Sequence, residues 1–247
     1  MLVIANWKAY VGELSRAKAL LASAKRLSSR TRTRIVLAPP APLLGTLSAG
    51  NKSRVAFAAQ DVSADTGGAH TGEATAAAYA AAGASYAILG HSERRALGDT
   101  DAVVAQKLAH ALAQGLVPVL CVGERERDRE GRYLSLVREQ LTSALTPLQM
   151  KERSQVIVAY EPVWAIGKTA ADALNPNDLA EMTLYIHKVL AELLPGKSSA
   201  RTPVLYGGSV EAENARALAG ASGIDGFLVG HASADPDSFA RLVKDLS

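Results

Sequence analysis

Residues 155–170 read QVIVAYEPVWAIGKTA. Val156 to Ala159 are apolar, with none of the in–out alternation of a strand exposed on one face, and the run closes on one carboxylate, Glu161. A strand of that kind is covered on both sides, as in parallel sheets flanked by helices. The next segment is unexpected. Pro162-Val163-Trp164-Ala165-Ile166-Gly167 is an apolar loop, although connecting segments run through water and are ordinarily polar.

Seven further runs have the same character: LVIANW (2–7), RIVLAPP (34–40), VAFAAQ (55–60), YAILGH (86–91), LVPVLCVG (116–123), TPVLYGGS (202–209) and IDGFLVGH (224–231). Between them, residues 13–28, 100–115, 133–145 and 175–194 carry apolar side chains at helical three-to-four spacing. The last of these begins with Asn175 as N-cap and Pro176 at the first helical position. Strand and helix alternating eight times is the pattern of an α/β protein with a single-domain (β/α)8 barrel, here residues 1–247 as one unit. A doubly wound sheet is the runner-up, but no GxGxxG follows the first strand.

A hydrophobic fraction of 48% is ample for one large core. The net charge of +3 is spread along the chain, and three Phe and two Trp leave few rings to stack bases, so nucleic acid is not the expected partner. One cysteine, Cys121, excludes an intramolecular disulfide and a cysteine-based metal cluster; in LVPVLCVG it reads as a small buried hydrophobe. The opening MLVIANWK has no charged leader and does not read as a signal peptide. The uncharged stretch 74–90 is mostly Ala, Gly and Ser, and Gly83 divides it into helix and strand rather than a membrane span. The expectation is a soluble, cytoplasmic protein.

Barrel chemistry sits at the C-terminal strand ends. Those ends carry Asn6 and Lys8, Gln60, His91 and Glu93, Glu124, Glu161, Gly207-Gly208-Ser209, and Gly230-His231. Glu161, walled by apolar residues, loses solvation and becomes a better base; the same carboxylate would also serve to cap a turn or pair with an arginine. His91 precedes SERRALG, where Ser92 reads as a helix N-cap, and an imidazole in that dipole field is favoured neutral, able to donate to a carbonyl gaining charge. A histidine that merely satisfies a neighbour fits the same position. Lys8 would balance substrate negative charge or form a Schiff base; Glu93, as its ion-pair partner, disfavours the second. The two glycine-rich ends fall where barrels build a phosphate site from backbone N–H groups. Together these point to proton-transfer isomerisation of a small phosphorylated carbonyl compound, with no cofactor and no metal required. The apolar loop then reads as a lid, since an enediolate carrying phosphate can eliminate it on meeting water.

ANWK, AQDVSADTGGAHTGE, GHSERR, CVGE, AYEPVWAIG, YGGSV and DGFLVG resemble, in order, the signature stretches of the triosephosphate isomerase family over nearly the whole chain. The resemblance implies interconversion of D-glyceraldehyde 3-phosphate and dihydroxyacetone phosphate, in glycolysis and gluconeogenesis. Carried over by position, it implies Glu161 as base, His91 as electrophile, Asn6 and Lys8 facing the substrate's oxygens, and Glu93 as partner of Lys8. Gly167, Gly208, Ser209 and Gly230 would bind phosphate. The 61–73 loop resembles the family's dimer loop, with Thr71 entering the neighbouring subunit, and implies a homodimer.

Three places depart from that pattern. Ala9-Tyr10 replaces the usual Met-Asn, seven residues from Lys168 to Leu174 rebuild the second hinge of the lid, and His231 stands where the family has a second glycine, adding an imidazole near the phosphate. Loops drift readily; a changed substrate, a tetrulose phosphate of the erythrulose type handled by the same residues, is the alternative. A Schiff-base aldolase using Lys8 and a non-catalytic phosphosugar binder are the readings from other classes.

Overall fold

The computed structural model describes residues 1–167, 174–194 and 202–246. The strands are β1 (Leu2–Asn6), β2 (Arg34–Ala38), β3 (Ala56–Ala59), β4 (Tyr86–Leu89), β5 (Val117–Val122), β6 (Ile157–Tyr160), β7 (Val204–Tyr206) and β8 (Gly226–Val229). They pair in chain order, all parallel, and close when β8 pairs β1 with Val3 opposite Phe227. The (β/α)8 barrel expected from the alternation is the fold observed.

Helices α1 (Leu14–Arg30), α2 (Ala41–Ser48) and α3 (Ala76–Ala81) follow the first three strands. A short α4 (Ser92–Ala96) precedes α5 (Asp101–Ala113), and α6 (Arg132–Leu145) precedes the one-turn α7 (Met150–Arg153). The set ends with α8 (Pro176–Leu193), α9 (Ala212–Ser222) and α10 (Pro236–Asp245). α8 starts as the sequence predicts: the Asn175 side chain accepts from the Asp178 amide at 3.0 Å, with Pro176 next. Gly83, at φ 92°, breaks the Ala-rich stretch before β4, and a side chain there would meet Ser48 Oγ at 2.7 Å. No helix among the described residues is long and apolar enough to cross a membrane.

Period-two alternation splits every strand between two cores. Leu2, Ile4, Val36, Ile88, Val119, Cys121, Ile157, Leu205 and Leu228 fill the barrel interior. Their neighbours, Val3, Ala5, Ile35, Leu37 and Leu120 among them, pack outward against the helices. That double burial is why the runs show no polar alternation. The runs nonetheless overshoot the strands, which end at Tyr206 in β7 and Val229 in β8. The Gly207 amide still bonds Tyr160 O at 2.8 Å, and beyond it Gly208-Ser209, like Gly230-His231, line the mouth. Cys121 is a buried interior residue, and burial pushes its thiol well above the usual range.

Candidate active site

Glu161 follows β6 with its backbone N–H bonded to Val122 O at 2.8 Å, which lays it across the end of β5. The crossing leaves no space for a side chain at 123: a Cβ on Gly123 would collide with the Glu161 carbonyl. Gly207 is required in the same way, since a Cβ there would stand 2.7 Å from Glu161 Cγ. So the first glycine of YGGS seats the carboxylate, and the phosphate reading of that run falls to Gly208 and Ser209.

Glu161 is 2% exposed. Its Oε1 lies 3.2 Å from His91 Nε2, and its Oε2 accepts from the Ser92 amide at 3.4 Å. His91, rather than Ser92 as the sequence suggested, caps α4: its Nδ1 accepts from the Glu93 amide at 3.2 Å. An imidazole capping through Nδ1 has its lone pair committed there, so the ring proton sits on Nε2, the nitrogen facing Glu161. The adjoining helix thus selects the tautomer, a detail that residue types alone could not supply.

Lys8 is the one described non-glycine residue in the left-handed region, at φ 45°. Its amide donates to Asn6 Oδ1 at 3.1 Å, and Gln60 Nε2 donates to the carbonyls of Lys8 at 3.0 Å and Ala38 at 2.9 Å. Strain of this kind persists only where the surroundings over-determine it, and here it turns the side chain over the barrel mouth. Lys8 Nζ meets Glu93 Oε1 at 2.6 Å, a pairing that occupies the amine and disfavours imine chemistry.

Glu124 carries more than its place at a strand end suggested. It is 1% exposed and accepts from Tyr160 Oη at 2.9 and 3.0 Å, Trp164 Nε1 at 2.9 Å and Arg127 Nε at 3.3 Å. Its backbone carbonyl takes the Val163 amide at 2.8 Å. Burial, then the Glu124 carboxylate, drive the Tyr160 hydroxyl's pKa far up, which keeps it a donor. These bonds fix the 3-10 turn Val163–Ala165, and Ser209 Oγ ties it from the other side by donating to Ala165 O at 2.8 Å. Partners 36 and 40 residues apart leave no spacing signal, so sequence reasoning could not find this anchor.

A cavity of about 290 Å³ opens among these groups. Asn6, Lys8, His91 and Glu161 line it together with Gly167, Gly208, Ser209 and Gly230, and so do Tyr10 and His231. Of the residues expected in the site, Glu93 acts through Lys8, and Thr71 lies exposed on loop 61–73 without lining this cavity. Of the rebuilt second hinge, residues 168–173 fall outside the described residues, while Leu174 is 2% exposed.

A carboxylate, an imidazole N–H and an ammonium turned together over a small glycine-walled cavity mark a barrel enzyme that shifts protons beside a carbonyl. The chain belongs to the triosephosphate isomerase family: the family model described as triosephosphate isomerase matches residues 1–246. It is 42% identical to the triosephosphate isomerase of Cupriavidus pinatubonensis over 249 residues, covering 98% of this chain and 97% of that one. Those of Symbiobacterium thermophilum, at 38% identity (98% and 94% covered), and Coprinopsis cinerea, at 40% (94% and 92%), are similar over comparable lengths. These names do not favour the tetrulose-phosphate alternative.

Proposed function

We propose that this single catalytic domain interconverts D-glyceraldehyde 3-phosphate and dihydroxyacetone phosphate through an enediolate. Glu161 removes a proton from the carbon beside the carbonyl, and the electron pair moves onto the carbonyl oxygen. His91 meets the growing charge with its Nε2–H, with the Lys8 ammonium and Asn6 beside it. The hydroxyl proton passes from one enediolate oxygen to the other by way of the His91 Nε2–H, and Glu161 returns its proton to the neighbouring carbon. Two protons change places within one molecule with no net redox change, so no cofactor is needed. Backbone N–H groups of Gly167, Gly208, Ser209 and Gly230 hold the phosphate, helped by His231. The apolar segment 162–167 covers the intermediate and delays loss of phosphate.

The observation that carries this reading is the 3.2 Å approach of Glu161 Oε1 to His91 Nε2 while Nδ1 is occupied by the α4 amide. It supplies a base and a proton donor within reach of one substrate. Assembly as a homodimer through loop 61–73, with Thr71 entering the neighbour, and work in the cytoplasm in glycolysis and gluconeogenesis belong to the same reading. Glu161→Asp withdraws the carboxylate by about one C–C bond, and kcat on glyceraldehyde 3-phosphate should fall at least ~10²-fold. Turnover close to that of the unaltered protein would exclude Glu161 as the base.

A further inference from the structure

Two residues that line the cavity take no part in the proton transfer. Tyr10, on the loop after β1, and His231, on the loop after β8, are 221 positions apart, yet their rings meet edge-on with centroids 5.6 Å apart and planes at 86°. Both line the cavity. Their loops are clasped from behind by one residue of α1: Arg16 donates to Tyr10 O at 3.4 Å and to Ala234 O at 2.8 Å. Ser233 pins the backbone around His231, its hydroxyl bonding the carbonyls of Val229 at 2.9 Å and Gly230 at 2.6 Å. Glu211, which also lines the cavity, faces His231, and burial raises its carboxyl.

We infer that Tyr10 is a positioning residue for substrate binding: its ring holds the His231 imidazole over the phosphate end of the cavity, where an imidazole N–H serves as a side-chain phosphate ligand. This rests on the isomerase reading and extends it to how the phosphate is gripped. Backbone amides alone need nothing from residue 10. An imidazole on an exposed loop has rotamers to lose on binding, whereas one already braced by a ring and two clasped loops has fewer. The effect falls on binding, because neither side chain exchanges a proton with the substrate and both act equally on the ground state and the transition state.

The test measures Kd for inorganic phosphate by titration calorimetry, and kcat and KM for glyceraldehyde 3-phosphate, in Tyr10→Ala, Tyr10→Phe, His231→Ala and the Tyr10→Ala/His231→Ala double variant. Tyr10→Ala should weaken phosphate binding and raise KM together by about tenfold, the worth of a hydrogen bond to a charged group, with kcat within about twofold. Tyr10→Phe, which keeps the ring, should restore both constants. His231→Ala should match Tyr10→Ala, and the double variant should be no worse than His231→Ala alone. Unchanged phosphate binding in Tyr10→Ala overturns the inference, as does Tyr10→Phe behaving like Tyr10→Ala, or losses that multiply in the double variant. The phosphate titration needs no turnover. A protein that turns over no triose phosphate but shows the Tyr10-dependent Kd would refute the isomerase reading and support the bracing of His231.

Discussion

Gly207→Ala should cripple catalysis without touching a reacting group. The new methyl would stand 2.7 Å from Glu161 Cγ, 3.2 Å from Oε1 and 3.4 Å from Cδ. Carbon atoms rest at about 3.5–4.0 Å, so the Glu161 side chain must retreat by roughly 1 Å. It has little freedom to do so, because its carbonyl is wedged against Gly123 and its backbone N–H is held by Val122. The retreat therefore comes from the χ angles and carries the carboxylate away from its position beside His91. A misplacement of about 1 Å is worth ~10²-fold in rate, while overpacking at one buried position costs about 1–3 kcal/mol of stability. The expected result is a folded protein with kcat down ~10²-fold and a KM changed much less, since phosphate binding falls to other groups. Steady-state kinetics with a coupled assay reads kcat and KM separately, and circular dichroism checks the fold. A folded Gly207→Ala variant with kcat within about threefold of the parent would refute the argument that Gly207 seats the base.

Trp164→Phe removes the 2.9 Å bond to Glu124 and loosens the loop anchor; kcat/KM should drop about fivefold to tenfold, and more inorganic phosphate should be released per product formed, with neither change observed if the anchor is idle. Incubation with substrate and borohydride should leave Lys8 unmodified by mass spectrometry, because its amine is engaged by Glu93 at 2.6 Å; a trapped lysine adduct would restore the aldolase reading. The Asp235 carboxyl caps α10 and lies below the usual carboxylate range because the Ser238 amide bonds it, at 2.8 Å. A depressed folded-state pKa stabilises above the unfolded value and is lost as pH falls through the folded one. Asp235→Ala should thus cost about 1 kcal/mol near neutrality and nothing in strong acid, and a penalty that grows as pH falls would contradict the cap.

Local pattern was enough for the barrel. Runs such as QVIVAYE lack alternation because both faces of the strand are covered, and that condition leaves its mark on consecutive residues. The same logic reached Glu161, His91 and Lys8, since a polar residue ending an apolar run is visible one residue at a time. Strand limits were less legible: the runs TPVLYGGS and IDGFLVGH extend past Tyr206 and Val229, where the strands end. What only the tertiary structure decided is how the strand ends meet. The proton on His91 Nε2 is set by a cap that composition assigned to Ser92. The role of Gly207 is set by the crossing of β6 over its neighbours, that of Glu124 by donors 36 and 40 residues away, and the meeting of Tyr10 with His231 by closure of β8 onto β1. The reason is physical. Periodicity records which side of an element is buried, whereas contacts between distant segments depend on where the backbone returns, and no spacing along the chain encodes that.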